Sequence, residues 1–522
     1  DFEARRIVAT ANGVRLAKLG ITPLSPFKKL TKPALEKVAN NMLDGEMYGL
    51  PVPPTLGGLE KLGAKWLTDA LHAAGTLPSD NAITKVVAFK RLPMTGQMAA
   101  GGSGPKAFIT VEYAKPDPEL HTELFAKMPW ACDGNTKEMG CDPFYRWKCS
   151  CNMDYEAQET TIYRFLGPIF PFKIPKYYFA DICRDNTNYI LITEKVPFPK
   201  KEDKREHKPY EILPVAEKYF DFQLEPSMRY EMYYCLMRAQ ARMAAWDKMK
   251  VFDITPAEMR GLAMTPPPIG YFEFPQKLPE KKRVALGRGG DMLTKLWKEF
   301  LEDHAKNIYP PEYSETSFVA ALCDCAKDFS AYKDDINLYS WLFPAMIGLQ
   351  HSNLQSDNAY YWRDAEGKMD AGLIDWGGCS PGNYAARLAG CITSMEGDLL
   401  DEHEDGLLRC FIGEYYQECG IKLDFCELRR QWWLQYCAYI GSMGLNIEME
   451  VFRETPREEW KEIDSMWHPK AVGRWNVRCY VFMIAHALKY LHLRWVRNGR
   501  KRLHCHDSFL EWKEFWVTKG MT

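Results

Sequence analysis

Between His351 and Trp376 the chain reads HSNLQSDNAYYWRDAEGKMDAGLIDW, an order of residue types that can do chemistry. A loop rich in amides opens the stretch, a short aromatic strand (NAYYW) follows, RDAEGKMD makes a charged turn, and a second strand (GLIDW) ends on an aspartate. A hairpin that delivers polar side chains to both of its ends suits a divalent ion bound to phosphate. Asn358 and Asp375 both offer hard oxygen ligands, and two such ligands on one Mg²⁺ leave its other positions to phosphate oxygens. Asp375 is the stronger ligand because it carries charge.

Such residues need elements to hold them. Upstream, TKVVAFKRL and KAFITVEYA are short β-branched and aromatic runs on either side of MTGQMAAGGSGP, which predicts two strands around a glycine-rich loop. ELFAKM predicts a third strand, YEAQETTIYRFLG a helix, and YYFADI and NYILITEK two more strands joined by the polar turn CRDNTN. Five strands with one helix after the third predict a small α+β unit over residues 81–198. Residues 1–80 are predicted to be a helical extension, since KPALEKVANNML and GGLEKLGAKWLTDALHAAG repeat apolar residues at three- and four-residue steps. From residue 199 to 440 the pattern is mostly helical, with SMRYEMYYCLMRAQARMAAWDKM the longest amphipathic run and a Pro/Gly-rich insertion at 258–291. A further helical extension occupies 441–522.

The ordered set resembles the aminoglycoside/choline phosphotransferase branch of the protein-kinase-like superfamily, whose members carry H-x-D-x-x-x-x-N, then a hairpin, then I-D-W or I-D-F. Here His351, Asn353 and Asn358 occupy the first pattern and Ile374, Asp375 and Trp376 the second. The resemblance covers roughly residues 60–440 and implies a two-lobed α+β fold that binds ATP and Mg²⁺. It gives the loop with Gly101, Gly102 and Gly104 the place that covers the phosphates. Lys127 resembles the third-strand lysine that pairs with them, and Glu159, four residues before Tyr163, the helix glutamate that holds this lysine. Glu194 to Val196 resemble the hinge, and Asn358 and Asp375 the metal ligands. His351 and Asn353 stand in the catalytic loop, His351 as an organiser through hydrogen bonds.

One departure outweighs the matches. The family's catalytic aspartate, which accepts the substrate hydroxyl proton, corresponds here to Asn353. An amide can orient a hydroxyl but cannot take its proton. General-base help is worth about 10²–10⁴-fold, or roughly 3–5 kcal/mol of barrier. Asp357 stands in only if the loop is wound differently. The chain therefore reads as a degenerate kinase that binds MgATP with weak or absent transfer, a pseudokinase or a binding subunit of a larger assembly. The alternative is an active phosphotransferase on the hydroxyl of a small, cationic metabolite. A third reading uses the fold only as a shape, with the two terminal extensions as surfaces for a protein partner.

Composition narrows the classes. Lys+Arg at 67 against Asp+Glu at 69 leaves a formal charge of −2, which argues against a protein built to grip nucleic acid by phosphate neutralisation. No segment reaches the ~18–20 apolar residues of a membrane span. The nearest, CYVFMIAHALKYLHLRW, is broken by His486, Lys489, His492 and Arg494 and predicts a buried amphipathic helix. Sixteen cysteines are too few for a disulfide scaffold, and Cys132, Cys141, Cys149 and Cys151 fit no zinc spacing. Reduced thiols in cytoplasm or an organelle matrix are expected, and the start at Asp1 without a methionine fits either a removed leader or a late numbering start.

Four further features carry competing readings. The acidic run Glu396 to Asp405 suits either the floor of a cationic acceptor site or a solvated helix start. Trp432, Trp433, Tyr436 and Tyr439 predict helix core. Arg494, Arg497, Arg500, Lys501 and Arg502 suit an acidic partner, a membrane surface or plain solvation. His504, Cys505 and His506 are too close together for a full metal site.

Overall fold

The structure is a computed structural model and describes residues 29–92, 104–132, 146–147, 150, 155–200, 203, 205–252, 280–393 and 395–519. Gly101, Gly102, Cys141, Cys149 and Cys151 lie outside the described residues.

The β-branched runs form the five expected strands: β1 (Ile83–Arg91), β2 (Lys106–Tyr113), β3 (Glu123–Lys127), β4 (Tyr177–Cys183) and β5 (Asn188–Glu194). They make one antiparallel sheet in the order β1-β2-β3-β5-β4. In β2, Ala107, Ile109 and Val111 are buried and alternate with less buried neighbours, the period of a sheet with one covered face.

The cover is helical. After α1 (Lys32–Val38), helix α2 (Leu56–Ala73) lays Leu59, Trp66, Leu67, Ala70 and Leu71 against that face. Its apolar residues recur at three and four, which is why the segment is helical, and Thr55 caps it by accepting from the Gly58 N–H at 3.1 Å. Gly75, at φ +68°, ends it where glycine costs least. Helix α3 (Tyr155–Thr161) follows β3 and runs on through a wider turn at Ile162–Leu166.

The larger lobe is built around α4 (Pro226–Lys248), whose Met232, Leu236, Ala239, Met243 and Trp246 are buried. Around it pack α5 (Glu280–Lys298), α6 (Thr316–Trp341), α7 (Tyr384–Ile392), α8 (Gly397–Cys419), α9 (Phe425–Asn446), α10 (Trp475–Arg497) and α11 (His504–Thr518). Two small antiparallel pairs sit at its edge: β6 (Ile347–Gln350) with β9 (Ser380–Asn383), and β7 (Ala359–Arg363) with β8 (Met369–Leu373). The result is the two-lobed α+β arrangement implied by the resemblance. Among the described residues, no helix is long and apolar enough to cross a membrane.

Two local expectations change. The insertion at 258–291 ends in helix: residues 280–291 belong to α5, because the good helix formers of EKKRVAL outweigh Gly287, Gly289 and Gly290. The described residues of 199–225 are mostly not helical. Tyr210 and Leu213 instead donate their N–H groups to the Arg363 and Tyr361 carbonyls at 2.7 and 2.8 Å, lining the open edge of β7.

Candidate active site

Leu124 and Ala126 of β3 point into the core under α2, so Lys127, one residue on, faces the opposite side of the sheet. There its Nζ donates to Glu159 Oε2 of α3 at 2.7 Å and to Asp375 Oδ1 at 2.7 Å. One ammonium thus joins the small lobe to the far end of the β7–β8 hairpin. Lys127 and Glu159 are each 5 % exposed, and Asp375 is 40 % exposed. Burial opposes the charge on Lys127, but the Asp375 and Glu159 carboxylates prevail and hold it well above its ordinary range. Burial also opposes the charge on Asp375, yet the Lys127 ammonium beside it keeps that carboxyl well below the usual range. For Glu159 burial wins and the carboxyl is pushed up.

The second strand of the hairpin closes at Leu373, earlier than the sequence suggests, and Asp375 follows at φ +61°. Aspartate is among the few side chains that enter this left-handed region readily. The hairpin is tied to the small lobe by the Leu373 N–H donating to Lys173 O at 2.9 Å. Trp376 is fully buried against Phe170, Phe172 and His351.

His351 organises the loop, as its position suggested. Its Nδ1 accepts from the Asn353 N–H at 3.2 Å and its Nε2 meets Ile374 O at 3.0 Å, which fixes a neutral ring with the proton on Nε2. Asn358 Nδ2 donates to Asn353 O at 2.7 Å, so an ion would meet Asn358 through Oδ1. Ser352 Oγ reaches Gly377 O at 3.3 Å. Helix α7 backs the loop closely: a Cβ on Gly390 would lie 2.3 Å from Ser352 O, so only glycine fits. Asp357 Oδ1 is buried and has no hydrogen-bond partner among the described residues. Burial pushes its carboxyl up, against the pull of the Lys218 ammonium.

Burial holds the His351 imidazole at about 4, below the ordinary 6.5. Between those values the unfolded chain takes a proton that the folded chain refuses. The contribution of His351 is therefore fully present above pH 6.5 and is lost as pH falls towards 4, by roughly 3 kcal/mol. Denaturant titrations at pH 7 and 4.5 should show the wild type losing more stability between the two than His351→Gln. Equal losses would contradict the neutral, buried ring.

Lys106 is a site residue that sequence reading missed. It stands directly across from Lys127 in the β2–β3 register, so both ammonium groups share one face. Burial and the Lys127 charge bring Lys106 down to about 8, against the pull of Asp375 and Glu159. Its Nζ reaches Gly104 O at 3.3 Å. Gly104 itself fits because a Cβ there would sit 2.1 Å from the Met128 carbonyl. Glu194 ends β5 with its carboxylate on His121 Nε2 at 2.8 Å, and Val196 lies two residues on, where the chain leaves the sheet.

Arg494 and Arg497 of the basic cluster pair with the acidic run, while Arg500 pairs with Glu315 and Arg502 with Asp507. Asp401 pairs with Arg494 at 2.9 Å and with Arg497, and Asp398 pairs with Lys489 at 2.7 Å. Glu404, fully buried, accepts from Trp432, Trp433 and Tyr490 and pairs with Arg494 at 2.6 Å. Of the four aromatics, Trp432 and Tyr436 are core, and Trp433 and Tyr439 are partly buried against it.

No family model matches the chain, and no curated protein matches it in sequence. Among solved structures, a microcompartment-associated aminopropanol kinase is similar at 12% identity and TM-score 0.35, over 84% of this chain and 99% of that one. The Plasmodium vivax ethanolamine kinase is similar at 11% identity and TM-score 0.37, over 89% and 94%. A spectinomycin phosphotransferase in complex with ADP and spectinomycin shows 11% identity and TM-score 0.35, over 77% and 94%. Likenesses this distant carry no argument about what this chain does.

Proposed function

We propose that this chain holds MgATP beside the Lys127–Asp375 pair, transfers phosphate weakly or not at all, and acts chiefly by binding. The observation that carries this reading is the assembled trio of Lys127, Glu159 and Asp375 beside a loop with asparagine at position 353. A lysine pinned between two carboxylates is pre-aimed, so a phosphate meets it without paying to order it. The partly exposed Asp375 carboxylate and the Asn358 amide oxygen are hard donors that suit Mg²⁺. When bound, that ion would neutralise phosphate charge. Lys127 and Lys106 supply the protein's own positive charge. Asn353 can orient an acceptor hydroxyl, but it leaves the proton without a base.

The test is ATP consumption by the natural protein with ethanolamine, aminopropanol and aminoglycoside acceptors, with phosphorylated product read by mass spectrometry. Turnover near background is expected while MgATP binds. Turnover at an ordinary kinase rate, about 1–100 s⁻¹, would overturn the reading.

Lys106 gives a second check on the nucleotide site. Lys106→Met should weaken MgATP about tenfold, one phosphate contact being worth roughly 1.4 kcal/mol. It should not lower the melting temperature of the nucleotide-free protein, since it removes a like charge from beside Lys127. The ammonium is lost above about pH 8, so the difference in affinity should shrink from pH 7 to pH 9. A difference that stays constant over that range would contradict this role.

A further inference from the structure

Away from the cleft, three cysteines from three helices converge in the core of the larger lobe. Cys325 lies on α6, Cys437 on α9 and Cys505 in the first turn of α11, and all three are buried. Their sulfur atoms all lie within 4.8 Å of one another, with Cys325 and Cys437 at 3.6 Å. Their separations in sequence are 112 residues (Cys325 to Cys437) and 68 residues (Cys437 to Cys505), so no local motif brings them together.

A metal–sulfur bond of about 2.3 Å spaces the sulfurs of a shared ion roughly 3.8 Å apart in tetrahedral geometry and roughly 4.0 Å in trigonal geometry. The observed cluster brackets both. Among the described residues, no histidine or carboxylate joins the three sulfurs within the same reach. The histidines beside Cys505 place Nε2 on other partners, His504 on Tyr490 Oη at 2.9 Å and His506 on Asp328 Oδ2 at 3.0 Å, and their buried Nδ1 atoms do not come within 4.8 Å of all three sulfurs. Soft thiolates suit Cu(I), zinc and iron–sulfur clusters; structural zinc takes four protein ligands, whereas three thiolates complete a trigonal Cu(I) site. The first-turn amides of α11 favour a thiolate at Cys505.

We propose that Cys325, Cys437 and Cys505 form a three-sulfur site for a soft monovalent ion, Cu(I), that fastens α11 to α6 and α9. Each coordinating thiol releases its proton to solvent, and no electron moves. The site is independent of the proposed nucleotide site.

The full chain, reduced and free of oxygen, is titrated with Cu(I) against bathocuproine disulfonate, and X-ray absorption reads the copper that remains. One equivalent held by three sulfurs at about 2.3 Å is expected. Cys437→Ser and Cys325→Ser should each lose it, and Cys426→Ser, at an exposed position, should keep it. Retained copper should raise the melting temperature of the wild type and of Cys426→Ser only. Undiminished copper in Cys437→Ser, no copper retained by the wild type, or a disulfide between two of the three in the intact mass would each overturn the proposal. Because the wild-type absorption spectrum counts sulfurs directly, the test stands even if a serine variant fails to fold.

Discussion

Asn353→Asp is expected to raise ATP-dependent transfer by about 10²–10⁴-fold over the natural protein, the range a general base is worth. The substitution is nearly isosteric and leaves the loop's own bonds intact. The backbone of residue 353 is held by its N–H on His351 Nδ1 and by its carbonyl accepting from Asn358, neither of which uses the changed side chain. A carboxylate would therefore stand where the amide stands, beside the hairpin that carries Asp375. In barrier terms the gain is about 3–5 kcal/mol. The readout is phosphorylated acceptor, not ATP loss alone, with Asn353→Asp/Asp375→Asn as the control that should return to background. A rate unchanged by Asn353→Asp would mean that residue 353 does not face the acceptor.

Asp375→Asn is expected to weaken MgATP binding at least about 100-fold, or roughly 2.7 kcal/mol. Asparagine tolerates the left-handed backbone at φ +61° and keeps the shape, so the change isolates charge. It removes the one partly exposed carboxylate of the trio and leaves Lys127 neutralised by Glu159 alone. The cost to the nucleotide-free fold should be small, about 1 kcal/mol, because Asp375 is 40 % exposed and solvent screens its pairing. The pH dependence has a definite sign. A carboxyl lowered in the fold stabilises fully above the ordinary carboxylate value of about 4, and that stability is lost as pH falls below it. The wild type and Asp375→Asn should thus converge in stability in strong acid. Denaturant midpoints at pH 7 and pH 2.5 measure this.

What the sequence made legible is what local pattern encodes. Short β-branched and aromatic runs marked all five strands, the three- and four-residue spacing marked α2, and amphipathic pattern marked α4 and α8. Lys127, Glu159 and Asp375 were singled out together, and the fold brings both carboxylates to the Lys127 ammonium at 2.7 Å. Long-range pairing was not legible. Lys106 comes beside Lys127 only through the register that sets the two across from each other. The acidic run of α8 and the basic cluster of α10 looked like separate surfaces, because Asp401 and Arg494 are 93 residues apart. The left-handed turn at Asp375 was hidden for a different reason: GLIDW reads as continuous strand, and the break is imposed by the ion pair and by Trp376 packing under Phe170 and Phe172. Helix α5 was obscured by the proline-rich segment before it.

Isothermal titration of the natural protein with MgATP, repeated on Asp375→Asn, tests the nucleotide clamp most directly. A single saturable site in the natural protein that disappears in the variant is the expected result. No heat and no saturation at millimolar MgATP in the natural protein, or an isotherm unchanged by the substitution, would mean that the Lys127–Asp375 pair is an internal brace and not a nucleotide site.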